Sequence, residues 1–450
     1  MIGRERELEL LEERYSSDSY EMIPIYGRRR VGKTTLLKEF SKGKNGVYFT
    51  ATKGSLKSNL SKLASKVLDT DSPIYMGLED ILKEVSKKSL DERYLLIIDE
   101  YPNLVKRNPE VNDILQEFLD DMQDSKLFLI LCGSSMSIMK HEILGYNSPI
   151  YGRRTGSLEI LPLSVWDSMK ILDGFDREDA MRIFGMVGGI PLYLNMFKST
   201  STLKDNIYRL FMEESSFFRN EHEFVLMEEF DNPLTYYTVI EAAAMGKNKL
   251  SEIAAYCGLD ESTVHKYLGN LQTTGFIERI APVDNPEGKN VRYKVSDPFM
   301  NFQFRRILPE FDYIDHSDPM PTIERILKLF DTDMGAVFEK VCAEHLYRTH
   351  RGNIGKWWGS DPRTKRQEEI DLISTSRRDD MMTGWFAECK YRNEPVGTDV
   401  LQTLIHRTSL VKGYDECKYV LYSKSGFTAE LQDRDVELFD LDSVLDFKGM

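Results

Sequence analysis

Cysteine is scarce in this chain. Its five copies in 450 residues, Cys132, Cys257, Cys342, Cys389 and Cys417, form no CxxC pair and no cluster with histidine. That spacing excludes a disulfide framework and the usual zinc sites, and the residues read as small apolar side chains of a reducing compartment. Long apolar runs are missing too: no window approaches the ~18 uninterrupted apolar residues of a membrane-spanning helix. The opening MIGRERELELLEERY is charged and amphipathic, without the apolar centre of a secretory signal. A cytoplasmic protein with no membrane partner is the expectation. Basic excess is lacking as well, with 59 Lys and Arg against 73 Asp and Glu and a net charge of -14. Such a surface disfavours wholesale wrapping of nucleic acid, although one local basic groove stays open.

What is present is a globular composition, 41% hydrophobic and 29% charged, on a chain longer than one hydrophobic core supports. Near its start MIPIYGRRRVGKTTLLKEF reads as an apolar strand, a loop GRRRVGKT and a helix. The loop matches G-x-x-x-x-G-K-[ST] in its required context, so Gly27, Arg28, Arg29, Arg30, Val31, Gly32, Lys33, Thr34 and Thr35 are expected to bind ATP. Gly27 and Gly32 let backbone N–H groups turn inward, Lys33 would reach the β- and γ-phosphates, and Thr34 would ligate Mg²⁺. The helix N-terminus adds a favourable dipole.

YLLIIDEYPNL is a continuous apolar run of the kind buried in parallel sheets, ending in Asp99 and Glu100. Asp99 would organise the Mg²⁺ shell and Glu100 would polarise the attacking water. A third run, KLFLILCGSSMSIM, ends at Gly133, Ser134 and Ser135. Ser134 either touches the γ-phosphate or serves as a cap. Arg153 and Arg154, in SPIYGRRTGSLEILPLS, either stabilise transition-state charge, in cis or from a neighbouring subunit, or form a solvated basic loop.

IGRERELELL, GRRRVGKT, LLIIDEYPNL, the GSS strand end, YGRR and GGIPLYL together resemble the prokaryotic AAA-type ATPases related to signal-transduction (STAND) NTPases, over residues 1 to 225. The resemblance implies that Gly189 and Pro191 lie in a helical lid that senses nucleotide, and that Gly3 to Glu5 mark the start near the base.

Residues 234 to 306 carry a helix, a turn at Gly258, a second helix from Glu261, and two strand-like runs around PEGKN. This resembles a winged helix-turn-helix, with Thr263, His265, Lys266 and Asn270 facing a groove and Lys289, Arg292 and Lys294 on the wing. Acidic and basic residues nearly balance across it, so DNA contact and a structural or protein-contact role both stay open. DNA is preferred to RNA as a nucleic-acid partner.

The last segment places Glu339 in the helical pattern GAVFEKVCAEHLYRTH, Asp371 in QEEIDLIST and the pair Glu388 and Lys390 in WFAECK. Alternation in a strand points Glu388 and Lys390 to one side, together with Phe386. The intervening polar turn makes a hairpin that brings Asp371 beside them. Two carboxylates could hold Mg²⁺, with Glu339 as a further ligand and Lys390 orienting water or stabilising phosphate charge. This order, E…D…E-x-K, resembles the core of PD-(D/E)XK nucleases, over residues 325 to 450, where Gln402 fits a supporting position. Use of the domain as a scaffold is the alternative.

The fold class expected is α/β: a P-loop NTPase parallel sheet with a helical lid, then a winged helix-turn-helix, then an α/β PD-(D/E)XK nuclease-like domain. The ranges are 1–160 for the ATPase core, 161–230 for the lid, 231–310 for the winged helix and 325–450 for the last domain. The function expected is ATP hydrolysis at Lys33 and Glu100, coupled to a Mg²⁺-dependent nuclease at Asp371, Glu388 and Lys390 or to a nucleic-acid-binding domain. The rival is a STAND-like regulatory switch whose C-terminal domain binds a partner, protein or second copy, without catalysis.

Overall fold

The computed structural model describes residues 1–288, 290–311 and 318–446. These fall into two compact units. One comprises residues 1–167, 189–195 and 224–233, and the other residues 168–188, 196–223 and 234 onward, so the segment expected as a lid is shared between them.

The first unit is built on strands β1 (Glu21–Tyr26), β2 (Gly46–Thr50), β3 (Tyr94–Asp99), β4 (Leu127–Gly133) and β5 (Leu158–Glu159), in the order β2-β3-β4-β1-β5. Every pairing is parallel, with Ile23 opposite Ile130 and Leu96 opposite Leu129. Helices cover both faces, which is why β3 and β4 are apolar without alternation. Successive residues nevertheless feed opposite cores. Leu96, Ile98, Leu129 and Leu131 pack on one side. Leu95, Ile97, Phe128 and Ile130 pack on the other, with Leu36, Leu37 and Phe40 of the helix Lys33–Ser41. The carboxyl ends of β1, β3 and β4 therefore deliver Gly27, Glu100 and Ser134 to the crevice edge where such sheets bind ligands.

In the second unit the helices Leu250–Cys257 and Glu261–Thr273 flank a turn at Gly258, and Asp260 caps the latter helix through the Thr263 N–H. Strands β6 (Ile277–Ile280) and β7 (Arg292–Val295) form the antiparallel hairpin that completes the expected winged helix-turn-helix. Lys289 lies outside the described residues.

The remaining sheet has the order β12-β11-β10-β9-β8. It comprises β8 (Asn353–Ser360), β9 (Gln367–Arg378), β10 (Met381–Lys390), β11 (Glu416–Ser423) and β12 (Glu437–Asp440). β8, β9 and β10 run antiparallel, and β10, β11 and β12 parallel. The β9–β10 turn uses Asp379 and Asp380, both at positive φ, as a two-residue hairpin of this twist demands. The helix Thr398–Thr408 covers one face through Val400, Leu401 and Leu404, packed with Phe386 and Leu421. On the other face lies the helix Met334–His350, whose His345 Nδ1 meets the Tyr422 hydroxyl at 2.9 Å. Among the described residues no helix is long and apolar enough to cross a membrane.

Candidate nucleotide site and C-terminal carboxylate site

The phosphate loop leaves β1 at Gly27, where an added Cβ would lie 2.3 Å from the Ile160 carbonyl oxygen, so no side chain fits. Lys33 is buried, and its Nζ donates to the carbonyls of Gly27 at 2.7 Å and Arg28 at 2.9 Å. Burial pushes its pKa down, partly offset by the nearby Glu100 and Asp99. Thr34 donates to Asp99 Oδ2 at 3.0 Å, and Tyr48 donates to the same oxygen at 2.6 Å. The other oxygen, Oδ1, accepts the Glu100 N–H at 3.0 Å. Glu100 itself has a left-handed backbone, φ +54, an unusual conformation for a non-glycine residue that over-determined functional sites support. Ser134 donates to its carboxylate, 2.9 Å from Oε2.

The rest of the loop is clamped from outside. Buried Arg4 donates to the Val31 carbonyl at 2.9 Å and the Leu161 carbonyl at 2.6 Å. Arg30, at φ +68, lies 3.4 Å from the Tyr193 hydroxyl. Tyr193 belongs to the short helix Pro191–Leu194, which Pro191 opens at its first position. Just before it, a Cβ on Gly189 would meet the Leu163 carbonyl oxygen at 2.0 Å, so only glycine permits this approach. Arg29 pairs with Glu228 at 2.6 Å. Glu229 accepts from the Ser137 N–H at 2.8 Å. Burial lifts the Glu229 pKa to about 7 despite that N–H, the one on Met136, and the charges of Arg28 and Lys33. Thr35 is exposed on the helix.

Two expected arginines have partners of their own. Arg153 forms a two-pronged pair with Asp120, both contacts 2.8 Å, and donates to Pro149 O at 2.7 Å. Arg154 lies over the Tyr151 ring, 4.8 Å from its centroid. Asp120, a carboxylate 33 residues earlier in the chain, holds the Arg153 guanidinium.

In the second unit, Leu372 pairs with Ala387 across β9 and β10, which sets Asp371 beside Glu388. Lys390 donates to Glu388 Oε1 at 2.6 Å and lies 4.0 Å from Asp371 Oδ2. Asp371 Oδ2 also accepts the Cys389 N–H at 2.9 Å. Arg407, from the helix Thr398–Thr408, donates to Glu388 Oε1 at 3.0 Å and to Glu368 at 2.9 Å. Glu388 Oε2 is buried without a hydrogen-bond partner. Burial raises the Glu388 pKa, Asp371 adds to the rise, and Lys390 and Arg407 oppose it.

Glu339 corrects the expected three-carboxylate set. Its carboxylate is paired with Lys356 of β8, and among the described residues no three His, Cys, Asp or Glu side chains are grouped to hold a metal. Gln402 is exposed, and Arg407 takes the helix position that reaches the carboxylates. Arg407 follows Leu404 by three residues, and that helical spacing could have signalled it. On the wing, Arg292 pairs with Glu369 at 3.0 Å and stacks over Trp358. Asn270 donates to the Tyr236 hydroxyl at 2.7 Å and Thr263 to Asp260 at 2.7 Å, whereas His265 and Lys266 are exposed.

Residues 1–197 match an ATPase domain found predominantly in Archaea, residues 242–281 an IclR helix-turn-helix domain, and residues 303–402 archaeal and bacterial proteins of unknown function. An uncharacterized protein of Methanocaldococcus jannaschii is 35% identical over 454 residues, spanning 98% of this chain and 99% of that one. A second uncharacterized protein of that organism is 31% identical over 96 residues, 20% of this chain and 92% of its own. The Walker-type ATPase of Pyrococcus abyssi shares the fold, with a TM-score of 0.50 at 20% identity over 68% of this chain and 96% of that one. The chain belongs to the archaeal-type P-loop ATPases that carry a helix-turn-helix segment and a C-terminal domain of unknown function.

Proposed function

We propose that ATP turnover in the first unit controls Mg²⁺-dependent phosphodiester cleavage at Asp371, Glu388 and Lys390. The phosphate loop fits a nucleoside triphosphate. Lys33 is already buried beneath it with its ammonium held only by loop carbonyls, which phosphate oxygens can replace as partners. Thr34 Oγ1 and the Asp99 carboxylate form the oxygen donor set that Mg²⁺ prefers. When bound there, Mg²⁺ supplies charge neutralisation to the β- and γ-phosphates. Glu100, steadied by Ser134, is the group positioned to orient a water, and Arg29 and Arg30 of the same loop, now held by Glu228 and Tyr193, would have to exchange those partners to meet phosphate oxygens.

The observation that carries the nuclease reading is the orphaned oxygen of Glu388. A buried carboxylate oxygen without a donor costs roughly 1–3 kcal/mol or more, and here Oε2 has no partner while the two cations sit on the other oxygen, Oε1, of a carboxylate that stands beside Asp371 in the sheet. A hard divalent cation is the ligand that satisfies such an oxygen, with water and phosphate completing its coordination. Lys390 would then orient the attacking water or the scissile phosphate.

A metal-dependent cleavage assay on plasmid, linear and branched DNA, comparing wild type with Lys390→Ala and Lys33→Ala, tests the reading. Cleavage absent in Lys390→Ala and altered by ATP only when Lys33 is intact is the expected pattern. A wild-type protein that hydrolyses ATP and never cuts under Mg²⁺ or Mn²⁺ would sink it. The second reading, a regulatory switch with a non-cleaving C-terminal domain, draws on one observation. Arg407 and Lys390 together already neutralise Glu388 Oε1, as in a structural ion network.

A further inference from the structure

We infer that the β8–β9 loop, residues 361–366, is a phosphate-backbone contact that seats duplex DNA against Asp371, Glu388 and Lys390. Naming DNA as the partner rests on the nuclease reading of those residues; the loop's construction is a separate observation.

The loop reads DPRTKR and places Arg363, Lys365 and Arg366 within four positions on a chain whose net charge is -14. All three are exposed, and among the described residues no carboxylate pairs with any of them. Its single acid, Asp361, is turned inward and only 1% exposed. Asp361 accepts from the Arg363 N–H at 2.8 Å, the Thr364 hydroxyl at 3.1 Å and His406 Nε2 at 3.2 Å. The backbone closes on itself through Asp361 N to Arg366 O at 2.9 Å and Lys365 N to Asp361 O at 2.8 Å. Lys365 sits at φ +57. The acid thus serves as the internal brace of the loop, and the cations are left outside.

Position connects the loop to the carboxylates. Ser360 pairs with Gln367, Trp358 with Glu369, and Asp371 follows four residues after Gln367, a rise of roughly 13 Å along the strand. Each strand of duplex DNA carries a phosphate every ~3.4 Å of axis, so one backbone spans loop and carboxylates within about four base pairs. The last turn of the helix Thr398–Thr408 ties the two together. His406 holds Asp361, and its neighbour Arg407 holds Glu368 and Glu388.

The test uses the full chain carrying Lys390→Ala, so that DNA is bound and not cut, and a fluorescent 20-base-pair duplex titrated over a salt series. Arg363→Ser/Lys365→Ser/Arg366→Ser in that background is expected to weaken binding at least tenfold at low salt. It should also flatten the slope of log K against log salt by about 2 to 3, near 0.9 for each phosphate no longer neutralised. Arg377→Ser/Arg378→Ser, at the far end of β9, should leave the slope unchanged. An unchanged slope in the triple variant, or an equal weakening per charge in both variants, overturns the proposal. If wild type never cleaves but the slope difference persists, the nuclease reading fails and the loop contact stands. If wild type cleaves and the slope is unchanged, the loop alone fails.

Discussion

Thr34 donates its hydroxyl to Asp99 Oδ2 at 3.0 Å, on the oxygen that Tyr48 also reaches. The loop threonine and the β3 aspartate are thereby registered to each other before any nucleotide arrives. Replacing Asp99 with Asn keeps the shape and removes the charge. Hydrolysis should fall on the order of 10²–10³-fold, the scale of losing one preorganised electrostatic partner, and nucleotide binding without Mg²⁺ should survive. Steady-state ATPase assays and fluorescent-nucleotide titrations separate the two; full activity in Asp99→Asn would contradict the assigned role.

Lys33→Ala removes the cation buried under the loop. ATP binding and turnover are expected to be lost together, with the thermal transition of the nucleotide-free protein little changed because the lysine bonds only loop carbonyls. Calorimetric titration with ATP gives the answer.

Arg407→Ala leaves Glu388 with a single cation and Glu368 without its 2.9 Å donor. Losing a charge-assisted bond to a buried carboxylate costs about 1–3 kcal/mol, so the second unit should unfold several degrees earlier. A Glu388→Gln change in the same chain should recover part of the deficit, since the buried charge is then gone. A double-mutant cycle with no coupling would show that the pair is incidental.

Two buried groups give opposite pH slopes. Glu229 titrates at about 7 in the folded chain, against 4.5 unperturbed. The native state therefore binds the extra proton in that window, and stability falls as pH rises from about 4.5 to about 7. His222 is depressed by burial to about 4 from 6.5, and both its ring nitrogens lack partners. The unfolded state then binds the extra proton, and stability falls as pH drops from about 6.5 to about 4. Denaturation midpoints from about pH 4 to about pH 8 should lose the first slope in Glu229→Gln and the second in His222→Phe.

Gly189→Ala should displace the helix Pro191–Leu194, because its Cβ would lie 2.0 Å from the Leu163 carbonyl oxygen. Faster amide exchange over residues 189–195 is the expected signature; unchanged protection would mean the backbone yields without cost.

Legibility in the sequence followed the range of the interactions. The strand, loop and helix around GRRRVGKT are contiguous, so spacing alone locates them, and the apolar runs of β3 and β4 announce a sheet buried on both faces. Asp371, Glu388 and Lys390 were readable because a period of two and one hairpin turn fix their register. Side chains whose partners lie outside a single hairpin or helix repeat were not. Glu339 is taken by Lys356, Arg153 by Asp120 and Arg292 by Glu369, and such pairs depend on packing that no local pattern encodes. Arg407 belongs to the same class, since helix periodicity gives its direction but not the strand it meets.

The parallel pairing of β1 with β4 joins Glu21 to Phe128, and residues 224–233 also belong to that unit. On the ribosome, which adds about 5–20 residues each second, β1 waits several seconds for its central partner, and the unit waits longer still for its last segment. During that interval an apolar strand with unpaired edges is exposed, so yield of the native protein should depend on translation speed and holding chaperones more than on the stability of the finished fold.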